Sequence, residues 1–451
     1  MDNKITDRYF IAVEVQLKTP LSVSNGESLE SDSDLLRSSN GELFIPGTSV
    51  AGALRDYMEL KKDADCVMGF SHDGDGKMSS VYVYDVFFQK DKDGAAPKTS
   101  IRDQVKLTHE KIAEAQGKFD MEIIETGAKA TLFMECVKRE NDSWKKDETP
   151  VDWIADFLGA LDRGDVRLGS KKNRGFGWFE VKKACYRKFN KDSRKEYLDY
   201  IGTWKAEITS DQKAQEIIPL KSDRRSKYIT MYLPLKQKGG ISIRVYSAAA
   251  EGPDYRHITC GGKPVIPGSS WNGAIRARAY EILKELELQK EKNSEEAESH
   301  VRKLIDGWFG HVLKKTRRNQ KNTEISRQSQ LIYKESVLKD FVSLPMTRNK
   351  IDRFSAAAVS TALYTEQSCF DGDTELIVKI RKREHTDDMA LAGLMYLIFD
   401  EIQGGFVSVG GQTAVGRGIF EWNNKYDAKD AEAYGSGLDR KECLSALYAV
   451  L

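Results

Sequence analysis

The sequence predicts an α+β protein built from two copies of one module, and three observations carry that reading. Residues 45–55 (IPGTSVAGALR) and 266–276 (IPGSSWNGAIR) share seven of eleven residues at an offset of 221. Residues 168–180 (LGSKKNRGFGWFE) return as 409–421 (VGGQTAVGRGIFE) at an offset of 241, where Gly169, Gly175, Gly177, Phe179 and Glu180 become Gly410, Gly416, Gly418, Phe420 and Glu421. Between these anchors the same order of strand and helix patterns runs through each half. The 20-residue difference in offset falls on a charged helical stretch, 284–303, expected only in the second copy.

In the first half RYFIAVEVQL (8–17) has the β-branched and aromatic content of a strand, and Ser49 to Leu60 follows Pro46-Gly47 with helical spacing. SVYVYDVFF (80–88) reads as the second strand and ATLFMECV (130–137) as the third. VDWIADFLGAL (151–161) reads as the second helix and GFGWFEV (175–181) as the last strand. The second half repeats the series with 227–235, a helix from Ser269 to about Glu287, 329–335, 375–381, 389–402 and 414–422. The order β-α-β-β-α-β is the split βαβ, or ferredoxin-like (RRM-like), arrangement. Each copy inserts a long segment between its second and third strands, about 89–128 and 336–373; loops of that length are usually functional projections. The expected organisation is a first module at 1–184, a helical or partly ordered linker at 185–226 that packs on the surface, and a second module at 227–451.

Composition bounds the function. At 451 residues the chain is about three times the soft per-domain length, so a single small domain is excluded. No run approaches the roughly 18 apolar residues of a spanning helix, and the N-terminus lacks a signal-peptide pattern, so no membrane and a cytoplasmic protein are expected. The six cysteines, Cys66, Cys136, Cys185, Cys260, Cys369 and Cys443, form no CxxC pair; neither structural zinc nor a disulfide framework is expected. With 70 basic and 69 acidic residues the net charge is +1, which lacks the overall signature of a nucleic-acid binder. The cations nevertheless concentrate at 171–174, 224–227 and 314–327, offset by acids such as 295–298 and 427–432.

The repeated motifs suit an anion. In IPG(T/S)S, Pro and Gly precede a helix whose first turn carries Thr48 and Ser49, or Ser269 and Ser270, with Arg55 or Arg276 one to two turns on. Free N–H groups and hydroxyls at a helix N-terminus can take a phosphate; helix capping and close packing use the same residues. The first glycine loop holds Lys171, Lys172 and Arg174 among Gly169, Gly175 and Gly177, a combination able to expose amides and neutralise phosphates. Its copy keeps Gly410, Gly411, Gly416 and Gly418 but has only Arg417 as a cation. Preceding a strand, neither loop is a dinucleotide fingerprint.

This pairing of IPG-S-S-x-x-G-A-x-R with G-x(5)-G-x-G resembles the RAMP superfamily of CRISPR-associated RNA-binding proteins, above all the backbone subunits of type III effector complexes. The resemblance covers nearly the whole chain twice, 185–226 excepted, and the fused pair is similar to the double-module subunit of the type III-D branch. IRDQVKL (101–107) with KFDMEIIETG (118–127), and NKIDRFSAAAVSTALYTE (349–366), match the family's thumb-like insertion in position and character. The resemblance implies that each module grips guide RNA, that its thumb interrupts the guide–target duplex at regular intervals, and that other type III subunits are partners. It also implies, for cutting members, an Asp in the loop after the first strand that supports metal-dependent cleavage of single-stranded target RNA. By position that Asp is Asp34, with Asp32 as second choice, in loop 22–44, and Asp254 in loop 242–265. Asp34 and Asp254 could each hold a Mg²⁺ or another divalent cation weakly, with RNA oxygens and water completing the shell.

Smaller expectations concern His257 and His109 as acid–base helpers, the run Lys314, Lys315, Arg317, Arg318 and Lys321 as a channel lining, and Arg102 and Arg353 as backbone-positioning residues. Ion pairs of Arg102 with Asp103 and of Arg353 with Asp352 are the alternative. Three other functions fit less of the chain: a purely structural backbone subunit, a guide-processing endoribonuclease, and a general single-strand RNA binder.

Overall fold

The computed structural model describes residues 4–24, 32–59, 64–72, 75–108, 112–140, 142, 149–220, 227–247, 252–290, 293–311, 326–360, 362–383, 387–423, 425 and 438–451. The expected roles of His109, of the cations at 314–321, and of most of 224–227 and 427–432 lie outside these residues. The chain divides into two compact units. One comprises Met1–Arg102, Asp120–Lys172 and Phe176–Arg225; the other comprises Asp103–Phe119, Asn173–Gly175 and Ser226–Leu451.

The first unit is organised around β1 (Ile5–Leu17). In chain order the first half continues with α1 (Gly47–Glu59), β2 (Val81–Val83), the insertion strands β3 (Thr99–Leu107) and β4 (Ala113–Ile124), of which Asp103–Phe119 belongs to the second unit, then β5 (Lys129–Arg139), α2 (Pro150–Asp162) and β6 (Phe179–Asn190). β1 pairs antiparallel with β6 on one side and β5 on the other, and β2 pairs antiparallel with the far edge of β5. Period-two alternation explains why FIAV in β1 is apolar throughout. Tyr9, Ile11, Val13, Val15 and Leu17 enter the core under α1 and α2, whereas Phe10 and Ala12 enter a second cluster on the opposite face.

That second cluster corrects the expected linker. Residues 185–190 continue β6, and then come α3 (Arg194–Tyr200), α4 (Trp204–Glu207) and β7 (Gln215–Glu216). β7 joins the sheet edge by pairing with Cys185 and Tyr186, and Tyr200, Trp204 and Ile208 are buried against Phe10, Cys185 and Phe189. Trp204 stacks on Phe10 at 4.6 Å and meets Phe133 edge-on at 5.4 Å. High charge hid this, because the few aromatics among the cations provide the packing.

The second unit is organised around β8 (Tyr228–Lys238). It is followed by β9 (Arg244–Tyr246), β10 (Tyr255–His257), α5 (Gly268–Leu288), α6 (Ser294–Phe309), β11 (Leu331–Tyr333), the insertion strands β12 (Val342–Arg348) and β13 (Tyr364–Phe370), β14 (Asp373–Arg381), α7 (Asp388–Gln403), β15 (Ile419–Trp422) and α8 (Arg440–Val450). The main sheet runs β11-β14-β8-β15, antiparallel at each pairing. In both units the first strand therefore lies between the third and the last, with the second outside the third. A further sheet joins loop strands β9 and β10 to insertion strands β13 and β12.

Four local differences from the sequence reading have physical causes. The second strand of the first half is split into Val81–Val83 and Val86–Phe87, because the Asp85 carboxylate turns to accept from the Gly47 N–H. The last strands begin at Phe179 and Ile419, later than expected, since the glycine loops extend to Gly177 and Gly418. The extra charged stretch lengthens two helices: α5 has 21 residues against 13 in α1, and α6 has 16 against 5 in Ala64–Met68. α8 went unread; Asp439 caps its N-terminus, and Gly393 on α7 lies so close that a Cβ would stand 2.3 Å from the Cys443 carbonyl. Among the described residues no helix is long and apolar enough to cross a membrane.

Because Trp204 is core and not surface, Trp204→Ala is expected to destabilise the first unit by about 3–5 kcal/mol. Urea unfolding followed by circular dichroism measures it; a loss below about 1 kcal/mol would return this segment to the role of a surface linker.

Candidate nucleic-acid interface

The two glycine loops fold the same way, contact by contact. In each, a short 3-10 turn (Lys172–Arg174, Thr413–Val415) lies between residues in the left-handed region: Gly169, Lys171, Gly175 and Gly177 in the first, Gly410, Gln412, Gly416 and Gly418 in the second. The loop is closed by Leu168 N–H to Gly177 O (3.0 Å) and by Val409 N–H to Gly418 O (2.9 Å). It is tied to the segment after the central strand by Gly177 N–H to Pro20 O and Ser170 N–H to Ser22 O, and by Gly418 N–H to Gly240 O and Gly411 N–H to Ser242 O, all 2.8 Å. A Cβ at Gly177 would sit 1.8 Å from the Leu168 carbonyl oxygen and one at Gly418 1.9 Å from that of Val409. The glycines thus serve the loop's own closure, and these four amides are engaged within the chain.

The cations of the loops are unlike one another. Lys171 is exposed and Lys172 half-buried. Arg174 is half-buried, donates to Gln104 Oε1 at 2.9 Å, and has its pKa lowered by desolvation. Arg417 is buried, its guanidinium 4.7 Å from the Phe370 ring centre, with desolvation lowering its pKa.

At the helix starts, Thr48 and Ser49 are exposed, whereas Ser269 and Ser270 are half-buried. The first amide of α1, Gly47 N–H, already donates to Asp85 Oδ1 at 2.7 Å, which puts a carboxylate where an anion was expected. α5 starts at Pro267 with no side-chain cap. Gly47 and Gly268 share a steric role, since a Cβ at either would lie 2.6 Å from a carbonyl of the neighbouring strand, Val83 or Tyr333.

Arg55 and Arg276 both grip a helix C-terminus. Arg55 donates to Gly69 O (2.8 Å) and Asp65 (2.6 Å); Arg276 donates to Gly310 O (2.9 Å) and Asp306 (3.1 Å). The two partner sets form a third repeat that sequence reading missed, D-x-x-x-G at 65–69 and 306–310, again 241 apart. The repeated arginine therefore has a structural duty in each unit.

The loop aspartates lie against the insertions. In the first unit Asp32 N–H and Asp120 N–H each bond the other's carboxylate at 3.0 Å, Leu35 N–H donates to Glu122 Oε2 (3.1 Å), and Arg37 pairs with Glu122 Oε1 (2.6 Å), which leaves Asp34 half-buried between anchored neighbours. In the second, Asp254 is exposed and its Oδ2 accepts from Thr365 N–H of β13 at 2.7 Å. Among the described residues no group of three or more His, Cys, Asp or Glu is placed to hold a metal.

Where loop meets insertion, the two units solve one packing problem with opposite chemistry. Met121, Ile123 and Phe176 form a buried apolar cluster, with the buried Arg102 guanidinium 5.6 Å from the Phe176 ring centre. By loop and strand register the counterparts are Glu366, Ser368 and Arg417. Glu366, 1% exposed, accepts from Arg244 (2.5 Å), Gln412 (2.9 Å) and Ser368 (2.8 Å). Arg102 is thus interior, and Asp103 meets Lys118 at 3.9 Å. Arg353 is exposed near the second insertion's tip, where Asp352 accepts from the amides of Phe354 and Ser355, contacts that lower its pKa.

His257 is buried between Val265 O (2.9 Å from Nε2) and the Ile243 N–H (3.3 Å from Nδ1), and burial lowers its pKa to about 4. With both nitrogens engaged it is a neutral structural histidine, not the acid–base helper considered from sequence. Cys66 is exposed; the other five cysteines are buried.

A model of the RAMP superfamily matches the chain twice, over residues 14–180 and 255–421. No curated protein matches it as a relative.

Two outcomes follow from this geometry. Glu366→Met alone leaves the buried Arg417 and the partly exposed Arg244 and Arg348 without their shared carboxylate and is expected to cost about 3 kcal/mol, whereas Glu366→Met with Ser368→Ile and Arg417→Phe, copying the first unit, should recover most of that loss in urea unfolding. For His257, the unfolded chain binds a proton below about pH 6.5 that the folded chain refuses until about pH 4. Stability is then fully present above pH 6.5 and falls as pH drops, by roughly 2 kcal/mol between pH 7 and pH 5. His257→Asn should flatten that part of the profile; an identical slope in the variant would assign the pH dependence elsewhere.

Proposed function

The chain belongs to the RAMP superfamily of CRISPR-associated RNA-binding proteins, and on that premise we propose that it is a two-module backbone subunit of a type III effector complex, gripping guide RNA and presenting its target for cutting. The observation that carries this is the coincidence of the two family matches with two repeated sheets, each bearing the same closed glycine loop and a hairpin insertion. The strand order, with the first strand between third and last, supports reading each module as ferredoxin-like.

In this reading the engaged amides of the glycine loops hold the loops rigid, and side chains make the phosphate contacts. Lys171 and Lys172 supply charge in the first module, and the half-buried Ser269 and Ser270 at the start of α5, which has no side-chain cap, supply donors in the second. Asp34 and Asp254 are the proposed cleavage carboxylates, each fixed by its own or its neighbours' bonds to an insertion strand. When bound, a divalent cation would stabilise charge on the scissile phosphate. A purely structural subunit is the second reading, favoured by the use of the Asp254 carboxylate as an anchor for Thr365.

Cleavage mapping on the assembled complex tests this. Asp34→Ala and Asp254→Ala should each abolish one set of cuts and leave guide binding unchanged, and chelation of divalent cations with EDTA should abolish all cuts while guide binding persists. Unchanged cutting in both variants would establish the structural reading. Lys171→Ala with Lys172→Ala should reduce the salt dependence of guide affinity, lowering the slope of log K against log salt by about 1.4.

A further inference from the structure

We propose that Tyr246, Tyr255, Tyr364 and Arg244 form a stacking platform for one unpaired RNA base beside Asp254. The inference rests on the RNA-binding reading above and adds a site and a ligand class to it.

The four side chains come from three adjoining strands. Tyr246 of β9 lies directly across from Tyr255 of β10, and β10 runs parallel to β13, which carries Tyr364. The rings meet edge to face, Tyr246 with Tyr255 at 6.1 Å and Tyr255 with Tyr364 at 6.3 Å. The Arg244 guanidinium lies 5.1 Å from the Tyr255 ring centre and 5.6 Å from that of Tyr364. Glu366, itself buried, holds Arg244 in place. Two rings are thereby fixed, and the third, Tyr246, stands 68% exposed at the end of the row.

A rigid row of tyrosines capped by a guanidinium offers π-faces of the kind on which unpaired bases stack. Charge agrees, since Arg244, Arg348 and Arg417 surround the single Glu366 carboxylate. Position agrees as well. Asp254 precedes Tyr255 in the chain, and its carboxylate accepts from Thr365 N–H, next to Tyr364. A base stacked on the platform would bring its own phosphate close to Asp254. The corresponding first-module loop, 22–44, has one aromatic residue, Phe44, which stacks on Phe87 at 5.4 Å, and no tyrosine at all.

The test uses the full-length protein, a guide RNA and target RNAs carrying 5-iodouridine at successive positions. Irradiation should give one position whose adduct maps by mass spectrometry to Tyr246 or Tyr255. Tyr246→Ala should abolish that adduct and weaken binding of single-stranded RNA about tenfold, while Tyr246→Phe, which keeps the ring, binds as wild type. If the protein binds guide RNA but no adduct forms on these tyrosines and Tyr246→Ala changes nothing, the platform is overturned and the RNA-binding reading stands. If the wild-type protein binds no RNA, both fall together.

Discussion

Each unit depends on one backbone contact that tolerates no side chain. The glycine loop closes on itself and is then tied to carbonyls just beyond the central strand, Pro20 and Ser22 in one unit, Gly240 and Ser242 in the other. With Cβ positions under 2 Å from carbonyl oxygens at Gly177 and Gly418, the approach is possible only for glycine. The contact fixes where the last strand begins and where the segment after the first strand turns. It also decides which amides are available, because those of Ser170, Gly177, Gly411 and Gly418 are engaged inside the chain.

The loop in turn meets the insertion, and there the units diverge. Met121, Ile123 and Phe176 fill the site with apolar volume, whereas Glu366, Ser368 and Arg417 fill it with a hydrogen-bonded charge network. A buried ionic arrangement is seldom more stable than an apolar one of similar volume, although removing one member is costly. What the network does provide is orientation. It holds Arg244 over two tyrosine rings, next to the loop that bears Asp254. In the proposed reading the second module thus carries a base-recognition element whose counterpart in the first module is an apolar cluster.

The helix N-termini show a similar division of labour. Asp85 sits at the start of α1 and accepts from its first amide, while α5 begins without a side-chain cap. In the proposed reading the Asp85 carboxylate disfavours a phosphate at the first helix, and the exposed Lys171 and half-buried Lys172 carry more of the electrostatic contact in the first module.

The sequence by itself determined the two-module α+β plan, the order of strands and helices, and the positions of the glycine loops. Repeats and periodicity are local properties, and IPG, G-x(5)-G-x-G and the alternation of β1 and β8 report them directly. The D-x-x-x-G repeat that receives Arg55 and Arg276 was equally visible and simply went unread. Only the tertiary structure decided which polar groups are available. Arg102 and Arg417 read as surface cations yet are interior, His257 is locked as a neutral acceptor and donor, and the charged segment after Ala184 provides the aromatic lid of a second core face. Those outcomes depend on tertiary partners, Phe176 for Arg102, Phe370 for Arg417 and Phe10 for Trp204, and on desolvation that no local pattern encodes.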